Sequence, residues 1–184
     1  MIDLPPWDSP FYAVALFLFG ICVGSFMNVV IYRVPRGLSV NNPKRSFCPS
    51  CRKEIPIGRN IPLLTWLLQR GKCAECSCSI PSRYFWIELL TGLLWILCWH
   101  SFPEPMEAIF YIILGTLALV ICAVDIELML IPRVFSIIGA VVALAGAALM
   151  PWRFDQVTWL DGLLYSLCFM LACRFCIIMG LQNR

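Results

Sequence analysis

Five apolar stretches, residues 11–32, 84–102, 108–124, 134–150 and 159–179, constrain this chain more than anything else in it, because each is long enough to cross a bilayer. At about 1.5 Å per residue the first reaches roughly 33 Å, slightly more than the hydrocarbon thickness. The third and fourth are shorter, so the third is expected to stay helical through Asp125 toward Leu130, with its last turn in the interface. Composition closes off a soluble fold. With 60% hydrophobic residues, 14% charged residues and a mean hydropathy of +0.82, there is too little polar surface to cover a water-facing globule. The sequence predicts an all-α polytopic membrane protein of about five transmembrane helices.

Basic residues orient those spans. Ten of the fourteen Lys and Arg lie between Arg33 and Arg83, against only Glu54 and Glu75, which places that segment on the cytoplasmic side. The residues before the first span carry Asp3 and Asp8 and no basic residue, the reverse of a secretory leader, so that span is expected to remain as an anchor with its N-terminus outside. Alternation then puts AVDIELMLIPR, residues 123–133, on the cytoplasmic face. Three regions follow: 1–32, an outside N-terminus and first helix; 33–83, a cytoplasmic basic loop; and 84–184, a membrane core.

The loop carries CPSC at 48–51 and CAEC at 73–76. Two Cys-x-x-Cys knuckles let four thiolates surround one tetrahedral ion, so Cys48, Cys51, Cys73 and Cys76 are expected to hold a structural zinc in a zinc-ribbon-like loop. Disulfides are the competing reading, disfavoured where thiols are kept reduced. Cys78 duplicates the second knuckle as C-x-C and is an alternative to Cys76. Cys22, Cys98, Cys122, Cys168, Cys173 and Cys176 lie in apolar runs and read as small hydrophobes. A basic zinc loop raises nucleic acid as a partner, but the charges are scattered among Pro and apolar residues without a stacking surface. Anionic lipid is the expected contact, with IPLLTWLL, residues 61–68, as an interfacial segment.

Polar residues inside apolar spans need partners or uses. Gly20 and Gly24 allow a second helix to approach closely, with Ser25 and Asn28 beside them. Glu88 lies just inside the second span, and Asp125 and Glu127 end the third. These acids, with Arg33, Arg83 and Asn28, are all expected at one face, as a polar site or as interfacial ion pairs. His100 is expected to be interfacial rather than a ligand.

The order GSFMNVVIYRVPR, CPSC, CAEC, CSIPSRYFWIELLTG and VDIELMLIP resembles the bacterial prepilin peptidases, bifunctional leader peptidases and N-methyltransferases of type IV pilus and type II secretion systems. The resemblance implies an inner-membrane aspartic peptidase. It would cut the basic leader from prepilins and pseudopilins on the cytoplasmic side and methylate the new N-terminus with S-adenosylmethionine. It implies that Asp125 is a catalytic aspartate and that Cys48, Cys51, Cys73 and Cys76 are the family's loop cysteines. Glu127 and Glu88 are candidate supporting acids.

The sequence departs from the family in three places, the mildest being Glu127 at the family's second acid, a conservative change. Arg133 follows Pro132 where the family carries Asp, and the sequence ends in GLQNR without the family's Gly-x-Gly-Asp motif, so it reads as C-terminally truncated. An aspartic peptidase needs two carboxylates sharing a proton, one acting as base on water and one as acid on the carbonyl. Three readings stay open at this point: the enzyme, with its second acid supplied from elsewhere; a truncated, peptidase-inactive relative; and a membrane-anchored zinc-ribbon module that binds a partner.

Overall fold

The computed structural model describes residues 10–43, 45–48, 50–129 and 132–149. Regular structure among them is helical throughout: α1 (Pro10–Arg33), α2 (Leu64–Leu68), α3 (Arg83–Ser101), α4 (Pro105–Leu128) and α5 (Arg133–Leu149), with short 3₁₀ turns at Val34–Arg36 and Ile57–Arg59. The only β pairing among them is two isolated antiparallel bridges, Phe47 with Glu54 and Lys72 with Ser79. Two helical stretches, Pro10–Arg36 and Pro105–Leu128, are long and apolar enough to cross a membrane. They correspond to the first and third expected spans. The α3 helix covers the second, but with Glu88 and His100 among its residues it is not one of that pair; α5, on the fourth, is a shorter apolar helix. The fifth, 159–179, lies outside the described residues, so two spanning helices rather than five are seen among those described.

The chain divides into two units, Met1–Val120 and Ile121–Arg184. In the first, α1 and α3 meet backbone to backbone. A Cβ placed on Gly24 would stand 2.8 Å from the Glu88 Cα, and one on Gly20 would stand 2.9 Å from the Gly92 Cα. Any larger residue would force the helices apart, which is why the small-xxx-small spacing read in the sequence matters here. Polar groups reinforce the pairing. Asn28 is 1% exposed, and its Nδ2 donates to the Tyr84 carbonyl at 3.1 Å, meeting the expectation that so deep an amide must find a partner. The start of α4 packs on α3 through Trp95, whose Nε1 donates to the Thr116 hydroxyl at 3.2 Å, and through Phe102 stacked on Tyr111 at 4.1 Å between ring centroids.

In the second unit, α4 continues unbroken past Asp125 to Leu128, close to the expected Leu130. It stops where Met129 takes φ 53°, a left-handed turn that a non-glycine residue adopts at a cost. Its amide donates to the Asp125 carbonyl at 2.8 Å as the last helical bond. Pro132 then precedes α5, whose missing amide hydrogen suits a break before a new helix.

Candidate metal centre and the placement of the carboxylates

The two Cys-x-x-Cys segments fold into the same backbone shape. In the first, the Arg52 amide donates to the Cys48 carbonyl at 2.8 Å and the Cys48 amide to the Lys53 carbonyl at 3.0 Å. In the second, Ser77 donates to Cys73 at 2.9 Å and Cys73 to the Cys78 carbonyl at 2.8 Å. Arg52 and Ser77, each directly after the second cysteine of its motif, both take φ 57°. Each turn is closed by one of the isolated bridges. Two equivalent knuckles thus face a common point.

The sulfurs of Cys48, Cys73, Cys76 and Cys78 all lie within 4.8 Å of one another. Cys48 and Cys76 are 3.8 Å apart, about the sulfur–sulfur edge of a tetrahedron with zinc–sulfur bonds near 2.3 Å. Cys51 influences the acidity of Cys48 and Cys76 yet is not one of those four. The expected set, Cys48, Cys51, Cys73 and Cys76, therefore differs from the converging one at one member. The left-handed turn at Ser77 folds the chain back and returns Cys78 to the centre alongside Cys76, whereas sequence spacing had offered Cys78 only in place of Cys76. No disulfide joins the described cysteines. A soft, all-sulfur donor set of tetrahedral size fits zinc, so the residues present suit the ion the sequence implied.

Electrostatics tie the knuckles together. Glu75, between the cysteines of the second knuckle, accepts from Lys53 Nζ of the first at 2.9 Å and from Arg59 at 3.1 Å. The Lys53 hydrogen bond holds the Glu75 carboxyl below the usual range, and Glu75 in turn raises Lys53. The Cys51 backbone amide lowers Cys48 to about 6, and the Cys76 amide lowers Cys73. At Cys76 the Cys78 amide favours the thiolate, but hydrogen bonding among the neighbouring thiols and desolvation outweigh it and push that thiol up. Backbone donors aimed at sulfur stabilise the thiolate, the form that binds metal.

Arg33, the last residue of α1, organises the beginning of the loop. Only 4% exposed, its guanidinium donates to the carbonyls of Ser39, Val40, Pro43 and Arg45 at 2.9–3.3 Å and faces the Phe47 ring, so its charge serves the backbone rather than an acid. At the other side Glu88, buried on α3, accepts the Leu63 amide at 2.7 Å and a hydrogen bond from Ser25. Leu63 has φ 61°, and its amide is held by that carboxylate. The IPLLTWLL patch becomes the short helix α2. Trp66 turns inward, 5.2 Å from Phe85 and over Gly71, while Leu64, Leu67 and Leu68 remain exposed.

Asp125 is half-buried and Glu127 exposed, on an intact helix. Two residues of helix turn through about 200°, so their carboxyls leave opposite sides of α4 and do not form a dyad.

Residues 18–102, which span the last two thirds of α1, the cysteine loop and α3, match the family model described as the bacterial peptidase A24 N-terminal domain. Over those residues the chain is similar to that family. A prepilin leader peptidase/N-methyltransferase of Myxococcus xanthus is 41% identical over 147 residues, 80% of this chain and 43% of that protein. The protein of the same description from Dichelobacter nodosus is 29% identical, over 85% of this chain and 71% of its own length. The type 4 prepilin-like proteins leader peptide-processing enzyme of Escherichia coli is 36% identical, over 64% of this chain and 50% of its own. Less than half of the Myxococcus protein is spanned, although the 147 aligned residues outnumber the 85 of the matched stretch 18–102. No solved structure matches.

Proposed function

We propose that this chain is a member of the A24 peptidase family and takes part in prepilin leader cleavage and N-terminal methylation at the bacterial inner membrane, as a multi-pass protein with its cysteine loop in the cytoplasm. The observation that carries the reading is the coincidence of the matched region, 18–102, with a closely packed helix pair and the thiol cluster in the loop between them, in a chain whose relatives are named for both activities. In this reading Asp125 is one catalytic carboxylate, placed at the end of a helix long enough to span. Its role is to hold or take a proton at a carboxyl oxygen as water attacks the scissile carbonyl. The opposing acid comes from outside α4, since Glu127 points away around the helix. Glu88, one of the acids weighed for a supporting role, positions the loop instead by accepting the Leu63 amide.

Zinc held by four of these thiolates would supply a structural cross-link, and the cysteine loop would not enter the chemistry. S-adenosylmethionine is the methyl donor implied for the second activity and is assigned no residues here. Prepilins or pseudopilins with a basic leader are the substrates of this reading.

Incubation of the purified full chain in lipid vesicles with a prepilin tests it. Mass spectrometry should show the leader removed by the wild type and retained with Asp125→Ala. No cleavage by the wild-type chain overturns the peptidase reading. Methylation of an already trimmed pilin, assayed separately with S-adenosylmethionine, would then assign the chain methyl transfer alone. Loss of both activities with metal binding intact would favour a binding module.

A further inference from the structure

The equivalence of the two knuckles exposes an addition in the second. Counted from the first cysteine of each, the residue whose carbonyl receives that cysteine's amide is Lys53 in one and Cys78 in the other. The symmetric plan supplies four thiols, and Cys78 adds a fifth. It is not peripheral: its sulfur lies 3.4 Å from Cys48 and 3.2 Å from Cys76, and it replaces Cys51 in the group whose sulfurs all come within 4.8 Å. Cys51, the second cysteine of the first knuckle, stays near enough to affect the acidity of the same two thiols, Cys48 and Cys76.

We propose that the loop is a five-thiol metal site in which Cys48, Cys73 and Cys76 are constant ligands and Cys51 and Cys78 compete for the fourth position. This rests on the reading of the loop as a metal module. Coordination number limits the ion to four thiolates. Charge points the same way: four thiolates on a divalent ion already leave two negative charges, and a fifth would add a third beside a Lys53 that is committed to Glu75. The displaced cysteine therefore keeps its proton and waits beside the ion as a thiol. Because backbone hydrogen bonds hold the shape of each knuckle, exchange needs movement of one side chain rather than reopening of the loop.

Cobalt(II) is the probe, since its absorption distinguishes a tetrahedral tetrathiolate from a site with three sulfurs. The purified full chain, Cys51→Ser, Cys78→Ser, the double variant and Cys73→Ser are titrated in detergent. The proposal expects the tetrathiolate spectrum in the wild type and in both first singles. It expects loss of that spectrum in Cys73→Ser and in the double variant, with affinity down about 100-fold, the share of one thiolate among four. Loss in Cys51→Ser alone, or in Cys78→Ser alone, overturns the competition while leaving the metal site standing. Failure of the wild type to bind cobalt overturns the metal reading itself.

A measurement without substitutions guards against misfolded variants. In the zinc-loaded wild type, limited iodoacetamide labelling followed by peptide mass spectrometry should mark Cys51 and Cys78 in partial, complementary yield and spare Cys48, Cys73 and Cys76. Labelling of Cys78 alone, or of Cys51 alone, contradicts the exchange.

Discussion

The cysteine loop and the end of α4 solve opposite problems. In the loop, residues as far apart in sequence as Cys48 and Cys76 are brought to one point, and two knuckles of the same shape aim their thiols inward. At the end of α4, Asp125 and Glu127 are neighbours in sequence, and an intact helix sends them to opposite sides. Proximity along the chain is thus a poor guide to shared chemistry. Spacing matched to a backbone shape is a good one, because Cys-x-x-Cys specifies a turn, whereas Asp-x-Glu on a helix specifies separation.

The largest effects should break that contrast at its two centres. Asp125→Asn is expected to lower prepilin cleavage by on the order of 10³-fold or more, and Glu127→Gln by less than about tenfold, compared by initial rates. Equal losses would mean that α4 opens and brings the two together. Next, Gly24→Val should push α1 off α3, costing roughly 1–3 kcal/mol in detergent unfolding. By shifting Glu88 it should also weaken cobalt binding in the loop. A milder comparison is Glu88→Ala against Glu88→Gln. The alanine leaves the Leu63 amide without its acceptor and costs about 1–3 kcal/mol, while the glutamine oxygen keeps the bond and loses less.

Acidity gives a subtler probe. In metal-stripped protein Cys48 has its ordinary value of 9.0 lowered to about 6, so the fold favours its thiolate. The stabilisation this brings is complete above the unfolded value and is lost as pH falls through the folded one. Alkylation of Cys48 should accordingly plateau above about pH 6 and decline below it, while Cys76, pushed the other way, should react slowly at neutral pH. The smallest change is expected for Glu75→Gln, where the exposed pairs with Lys53 and Arg59 are weakened. It should appear only as faster exchange between Cys51 and Cys78 labelling at low salt.

What the sequence made legible were features with a local period or spacing. The apolar runs that became α1 and α4, the continuation of the helix past Asp125, the close approach at Gly20 and Gly24 and the paired knuckles all belong to this class. Roles that depend on which distant backbone group happens to arrive were hidden. Arg33 looked like one more interfacial charge, and only the folded loop reveals four carbonyls turned toward it. Glu88 looked like a candidate acid for chemistry, because nothing in YFWIELLTG foretells that Leu63 presents an amide to it. Cys78 gave a signal in its C-x-C spacing, but not the turn at Ser77 that makes it an addition to Cys76 rather than a replacement.

The seam between α1 and α3 has a consequence in polymer terms. Arg33 ends one helix and Arg83 begins the other, and Asn28 bonding to Tyr84 keeps those ends together. The intervening chain is therefore already a closed ring before any ion arrives. Closing a flexible segment of that length costs about 3–4 kcal/mol of chain entropy, and here helix packing has met it in advance. An ion entering the loop is left only the final ordering of side chains, so its affinity should fall when the helices are parted even though no thiol is touched.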